Sequence, residues 1–207
     1  MSIAFNRQRL KQTGVEPGIL ELFGNISYAG NIDMANTSTI PLHDNQLLYF
    51  GGAPRGAYLD LVVKGINDFC EDTGKPIHII LICPESENKQ VFIRRLKETF
   101  AIYKGTVTDY GFVEPHLLSS IMTHCTAGIA RSEPYLLGKS GTAIAMLEHG
   151  LPIWLPKWNR SKKLDFSFRR ELIHSNLVEA MSAQHEEYLS QLPFIAKQFI
   201  SELNKHQ

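Results

Sequence analysis

Cysteine is scarce in this sequence, and the few cysteines do not form a pattern. Cys70, Cys83 and Cys125 are far apart and lack the spacing of a metal site. They indicate reduced thiols, as in cytoplasmic proteins. The chain also lacks an Asp-x-Asp sequence to hold a divalent cation, and its histidines show no ligand spacing beside a carboxylate. We predict that the protein has no metal site.

An excess of charge and long apolar runs are also absent. The 21 basic and 21 acidic residues give a formal net charge of zero, without a basic stripe. This balance argues against nucleic acid as a partner. No apolar run has the length of a transmembrane helix, and residues 1–7 lack the apolar core of a signal peptide. We therefore predict a cytoplasmic location.

A P-loop is missing as well, although Gly138-Lys139-Ser140 matches the end of that motif. The motif requires a glycine five residues before Gly138, where this chain has Glu133. The sequence therefore excludes a P-loop ATPase.

Apolar runs and helical periodicity alternate from residue 46 onward. Residues 77–83 are almost entirely apolar, which is typical of a central strand in a parallel sheet covered by helices. The alternation predicts a doubly wound, mostly parallel α/β sheet. Two helices are predicted to follow it, at about 166–178 and 185–203. The predicted strands lie at about 47–50, 77–83, 105–110, 127–130 and 151–155.

The stretch from Gly138 to Pro152 is the most informative part of the chain. Ser140 is a suitable N-cap for a helix over residues 143–147, and Gly150 is suited to end it in a left-handed conformation. Free N–H groups at the helix start, next to Lys139, are typical of an anion site. A small apolar helix that only packs in the core fits the same pattern, and both interpretations stay open.

Three loops that contain glycines and charged residues follow predicted strands: residues 51–56, 111–114 and 132–141. Ligands of doubly wound sheets bind at the carboxyl ends of the strands, near the reversal of strand order. Arg55 lies in the first loop, where it is either a bidentate phosphate ligand or a solvated surface residue.

These loops, taken in order, resemble the C-terminal domain of GT-B glycosyltransferases. The similarity is to the large retaining group 1 family with nucleotide-sugar donors, and covers about residues 25–157. It implies a Rossmann-like fold that binds a nucleoside diphosphate sugar as substrate and needs no cofactor. The matching motifs are Phe50-Gly51-Gly52, Gly111-Phe112-Val113-Glu114, Gly138-Lys139-Ser140-Gly141 and Glu148-His149-Gly150-Leu151-Pro152-Ile153.

The resemblance also implies roles for individual residues. Arg55 and Lys139 would stabilise the charge that grows on the leaving diphosphate, and we predict them as catalytic residues. The loop at residues 111–113 would lie against the nucleobase. The predicted donor-binding residues are Gly51, Gly52, Phe112, Val113, Glu133, Ser140, Gly141 and Thr142.

The sequence departs from this family at two acidic positions. The family often has two acidic residues eight apart, which correspond to Leu137 and Ala145 here. Glu133 is close enough in sequence to approach the donor sugar or ribose instead. Glu148 is interpreted as a solvated residue of the last helical turn.

A complete GT-B enzyme needs a second domain of similar size, so we expect this chain to be an inactive half by itself. The acceptor site would lie on a missing N-terminal domain or a partner chain, and the pathway would be polysaccharide, glycan or glycolipid synthesis. We predict a linker leading into the domain at 1–30, a Rossmann-like donor-binding domain at 31–182 and a C-terminal helix at 183–207. The basic run at residues 160–163 is either a solvated turn or a contact with anionic lipid.

Two alternatives remain. A dinucleotide-binding oxidoreductase is indicated by the glycine-rich loop at residues 51–56. The middle glycine of the dinucleotide-binding motif, however, falls on Ala53, and Glu85 lies further along the chain than the acidic residue that binds the ribose in that motif. A non-catalytic GT-B-like interaction domain is indicated by the loss of both acidic residues at Leu137 and Ala145.

Overall fold

The computed structural model describes residues 24, 26–29, 43–159, 164 and 166–204. Most of the predicted linker at 1–30 and the whole basic run at 160–163 lie outside these residues. None of the helices described is long and apolar enough to cross a membrane. The strands are β1 Gln46–Phe50, β2 His78–Ile82, β3 Thr106–Asp109, β4 Ala127–Ile129, β5 Ile153–Trp154 and β6 Ile173–His174.

From β1 to β5, the α-helices alternate with the strands, as the sequence pattern predicts. Two short 3₁₀ helices, Pro134–Lys139 and Arg170–Leu172, precede α4 and β6. The α-helices are α1 Ala57–Thr73, α2 Glu87–Tyr103, α3 Pro115–His124, α4 Gly141–Glu148, α5 Leu177–Ser182 and α6 Leu192–Asn204.

The six strands form one all-parallel sheet in the order β3-β2-β1-β4-β5-β6. This is the strand order of the Rossmann fold, and the predicted doubly wound architecture is confirmed. Leu48 at the centre of β1 pairs with Ile80 of β2 on one side and Gly128 of β4 on the other. The order along the chain reverses between β1 and β4, so a crevice is expected at the carboxyl ends of these two strands.

Alternate side chains of the strands enter two separate apolar layers. Leu47 and Tyr49 of β1 pack with α1, α2 and α5, whereas Leu48 packs with α3 and α4. Gly128 allows α4 to approach the sheet, because a Cβ atom there would lie 2.3 Å from Sδ of Met146. The apolar content of the sheet is therefore explained by burial on both faces.

Local signals define most helix ends. Pro115 occupies the first turn of α3, and the side chain of Ser140 caps α4 by accepting a hydrogen bond from the N–H of Ala143. Gly150 adopts a φ of 73°, the left-handed conformation predicted after this helix.

The C-terminal part of the chain differs from the prediction. No long helix covers residues 166–178, because this segment forms the 3₁₀ turn Arg170–Leu172 and then joins the sheet as β6. The helix predicted over 185–203 begins only at Leu192, and residues 183–190 are extended or irregular. Burial of Leu172 and Ile173 against the sheet outweighs the helical periodicity of this stretch.

The prediction that Glu148 is solvated is also wrong. Its side chain is 1% exposed, and Oε1 accepts a hydrogen bond of 2.6 Å from the backbone N–H of Gln191. The segment before α6 packs over the end of α4 and covers this carboxylate, a contact between distant parts of the chain that periodicity does not reveal.

Candidate functional site

The turn after β1 and the first turn of α4 meet at the reversal of strand order. Gly51 has a φ of 122°, a conformation that other residues rarely adopt. A Cβ atom on Gly51 would lie 3.5 Å from Cγ2 of Thr142, in ordinary contact. Two predicted donor-binding segments that are 90 residues apart in sequence are thus neighbours in the fold.

Two helices begin at this edge of the sheet. Ser140 caps α4, and Gly141 and Thr142 supply its first two N–H groups, which have no intrahelical acceptor. The Oγ atoms of Ser140 and Thr142 are 3.3 Å apart. At the start of α1, Gly56 provides no side-chain cap, and the space where its Cβ would lie is open. Both helix N-termini favour a negatively charged ligand at this edge.

Arg131, which we did not predict, lies directly after β4 in the same place. Its Nη1 donates a hydrogen bond of 3.1 Å to the carbonyl oxygen of Gly52, and its side chain is exposed. Tyr49 donates to the same carbonyl oxygen at 2.7 Å. The sequence signal was a single cation immediately after the apolar run at 127–130. This cation indicates a site next to Gly52 only if β4 lies beside β1, and the sequence alone does not specify that arrangement.

Two buried tyrosines hold the turns that follow β1 and β4. Burial raises the pKa of Tyr49 far above its usual range, although the charge of Arg131 lowers it, and burial likewise raises the pKa of Tyr58. Both phenols therefore remain protonated hydrogen-bond donors. Tyr58 donates to the carbonyl oxygen of Ala130 at 3.1 Å. These hydrogen bonds hold the backbone that directly precedes Arg131 and the backbone that Arg131 contacts.

Glu133 forms an ion pair with Lys157, which follows β5. The Nζ atom of Lys157 also lies 5.4 Å from the ring centroid of Tyr58. Both partners are about one-third exposed, so the pair lies at the surface of the same edge. The carboxylate proposed to approach the donor sugar or ribose is thus engaged by a neighbouring cation.

The two predicted catalytic cations are placed next to the helix starts. Arg55 directly precedes Gly56 at the start of α1, and Lys139 ends the 3₁₀ helix that leads into Ser140. Both side chains are exposed. Within the part of the chain that the structure describes, neither forms an ion pair.

The predicted base-contacting residues lie further along the same edge, after β3. The side chain of Phe112 is 84% exposed, whereas Val113 is half-buried against the core. Because β3 is separated from β1 by one strand, the ends of β1 and β3 are about 10 Å apart. The candidate site is therefore an edge with cations and amides near β1 and β4 and an aromatic ring near β3.

One groove among the described residues lies away from this edge. A groove lined by His43, His78 and His124 is at the opposite, amino-terminal edge of the sheet. No three His, Cys, Asp or Glu side chains among the described residues are arranged to hold a metal ion. No protein-family model matches the chain, and no curated protein sequence matches it. The functional argument therefore depends on the geometry of the site.

Proposed function

We propose that this chain is the donor-binding domain of a glycosyltransferase that uses a nucleoside diphosphate sugar. The observation that supports this most strongly is the meeting of Gly51 with Thr142 where the strand order reverses. A pyrophosphate in this crevice would face the first amides of α4, and Arg131 is next to it. The resemblance in sequence provides the reaction class.

In this proposal, the protein acts chiefly by electrostatic stabilisation. Transfer of the sugar leaves negative charge on the diphosphate, and fixed dipoles and cations lower the energy of that charge. Lys139 contributes positive charge before the start of α4, Arg131 after β4, and Arg55 at the start of α1. The acceptor hydroxyl and any base that activates it would come from a second domain or chain.

The proposed partners follow because this chain would bind the donor and a second domain or chain would bind the acceptor. The small-molecule partner is the nucleotide-sugar donor, and the macromolecular partner is the acceptor-binding domain or chain. Without that partner, we expect this chain to bind the donor weakly and to turn it over very slowly.

A second candidate function is supported by Leu137 and Ala145. Both side chains are fully buried in the apolar core. An acidic residue at either position would be buried without a partner, so this chain has no equivalent of the acidic pair. This observation favours a domain that binds a nucleoside diphosphate or its sugar conjugate without transferring the sugar.

Calorimetric titration with a panel of nucleoside diphosphates tests the proposed site. We expect one of them to bind, and Lys139→Ala and Arg131→Ala each to weaken binding about tenfold, or about 1.4 kcal/mol. Lys97→Ala is the matched control, because Lys97 is an exposed lysine on α2. Equal binding by wild type and both site variants would contradict the proposal, as would preferential binding of a nicotinamide dinucleotide.

A second assay separates the two candidates. The sugar conjugate of the nucleoside diphosphate that binds is incubated with the chain, and free sugar is measured over time. Slow release that is lost in Lys139→Ala favours the glycosyltransferase. Saturable binding with no release above the rate in buffer is the result expected of the non-catalytic domain, and equally of a glycosyltransferase half without its acceptor domain.

A further inference from the structure

The C-terminal helix α6 presents an apolar stripe to solvent. Its apolar side chains recur at the spacing of one helix face, and the stripe consists of Leu192, Ile195, Ala196, Phe199 and Ile200. The side chains of Leu192, Phe199 and Ile200 are 47%, 48% and 58% exposed. Apart from Ile195, which is half-buried, every side chain of α6 that the structure describes is exposed. The described part of the chain therefore leaves most of the stripe uncovered.

A stripe of this kind is expected to pack against a partner, because most helical stability in proteins comes from packing of the apolar face. Two copies of α6 would supply little area, since a helix of 13 residues is about 20 Å long and about 10 Å wide, or about 200 Å². A stable interface buries about 800 Å² on each partner. A segment of the same chain needs less area, because its effective concentration is in the millimolar range.

The segment that enters the domain runs beside the segment that leads into α6. Tyr28 stacks on Tyr188, with ring centroids 4.7 Å apart and 14° between the ring planes. Gly24 lies against Glu148, because a Cβ atom on Gly24 would overlap Oε2 of that carboxylate. Oε1 of the same carboxylate accepts a hydrogen bond of 2.6 Å from the N–H of Gln191. The two segments thus run in opposite directions, and Gly24 lies beside the start of α6.

Residues 19–23, which are outside the described residues, have the composition and the length to cover the stripe. Their sequence is Ile19-Leu20-Glu21-Leu22-Phe23, in which four of the five residues are apolar. Five residues can span at most about 17 Å. The stripe is about 12 Å long from Leu192 to Ile200. A short apolar segment therefore joins the domain next to a short apolar stripe.

We propose that residues 19–23 pack against the apolar stripe of α6. The segment that enters the domain and the helix that follows it would then stabilise each other. The contact explains why an amphipathic helix with an exposed face is attached to the domain through the buried residue Gln191. It is independent of the proposed function, because α4 starts at the edge proposed to bind the ligand and ends, at Glu148, beside α6.

The test measures how fast single introduced thiols react with a thiol-reactive chromophore in the whole chain under native conditions. Ala196→Cys places a thiol in the stripe, and Ser201→Cys places one on the opposite face of the same helix. Cys70, Cys83 and Cys125 are buried, and the parent chain provides the blank. We expect Ala196→Cys to react at least about tenfold more slowly than Ser201→Cys, because only the first thiol would be covered.

A second substitution identifies the segment that covers the stripe. Leu22→Asp, combined with Ala196→Cys, should raise the reaction rate to within about twofold of that of Ser201→Cys, because a carboxylate is not buried there without a partner. Gln12→Asp is the matched control, since it adds the same charge outside residues 19–23 and should leave the rate unchanged. If Leu22→Asp prevents folding, Leu20→Ala is used instead and should raise the rate by a smaller factor.

Three other outcomes each overturn the proposal. Equal reaction rates of Ala196→Cys and Ser201→Cys would mean that the stripe is open. Slow reaction of Ala196→Cys that Leu22→Asp does not change would mean that another part of the chain covers the stripe. Protection that increases with protein concentration, together with a dimer in sedimentation, would assign the stripe to a second copy of the chain.

Discussion

The carboxylate of Glu148 receives a hydrogen bond from the backbone N–H of Gln191, with 2.6 Å between Oε1 and N. The backbone carbonyl of Glu148 also accepts a bond of 2.8 Å from the N–H of Leu189. One residue at the end of α4 therefore fixes the two ends of a short segment that leads into α6. This acidic residue has a structural function although it lies in one of the motifs that resemble a donor-binding site.

Replacing Glu148 with alanine should destabilise the fold. The change leaves the buried N–H of Gln191 without its acceptor, which costs about 1–3 kcal/mol in the free energy of unfolding. Urea denaturation measures this loss. Glu98→Ala is the control, because the Glu98 side chain is 64% exposed, and it should change stability by less than about 0.5 kcal/mol. Equal effects of the two substitutions would contradict the structural role.

Substitution of the two glycines after β1 should have different consequences. Gly51→Ala places a side chain at a φ of 122°, so we expect it to lower the free energy of unfolding by about 1–3 kcal/mol. Gly52→Ala brings a methyl group within 2.8 Å of Nη1 of Arg131, which is the end of a flexible side chain. It should displace Arg131 and weaken nucleoside diphosphate binding, with little change in stability. Denaturation and titration of both variants check this contrast, which would not hold if Gly52→Ala proved the more destabilising.

Acidification should destabilise the protein through His149. Burial lowers the pKa of His149, and its hydrogen bond to Ala145 offsets only part of this effect. Nδ1 donates to the carbonyl oxygen of Ala145 at 2.7 Å, so the neutral ring accepts at Nε2 from the Ser119 hydroxyl, 2.9 Å away. Protonation would place a second donor against that hydroxyl. The folded state favours the neutral ring.

The sign of the pH effect follows from this preference. Since the unfolded chain takes up a proton near pH 6.5 and the folded chain only at lower pH, the free energy of unfolding should fall as the pH drops below about 6.5. The pKa values of His78 and His185 are lowered by burial in the same direction. Urea denaturation at several pH values between 5 and 7.5 measures the effect. His149→Gln should make the decline shallower, and an unchanged slope would exclude His149 as a cause.

The three thiols should be unreactive in the folded protein. Cys70, Cys83 and Cys125 are all buried and free, and burial raises the pKa of each. The thiolate is the reactive form, so both access and ionisation limit the reaction. A thiol-reactive chromophore should give almost no signal under native conditions and three equivalents in denaturant. Rapid native labelling would show that one of these positions opens readily.

The sequence was sufficient to predict the first five strands of the sheet and the helices between them. The runs that form β1 and β2 are apolar on both faces, and Ser140, Gly150 and Pro115 define helix ends through local geometry. These signals act within a few residues, so they do not depend on the rest of the fold. That is why the α/β architecture was predictable from periodicity.

Features that depend on distant contacts were missed. β6 has only two residues, and it is a strand because it pairs with β5, which lies 20 positions earlier in the chain. Arg131 reaches the carbonyl oxygen of Gly52 only because β4 lies beside β1. Glu148 is buried by a segment more than 40 residues later. No local pattern encodes these contacts.

The position of β1 between β2 and β4 has a consequence for folding during synthesis. The strands on one side, β2 and β3, follow β1 directly and can assemble with it as soon as residue 109 is available. The other edge of β1 stays unpaired until residues 127–129 arrive, and bare edges readily pair with other chains. Between these two lengths, a nascent chain should therefore be open to pairing with another chain along the free edge of β1.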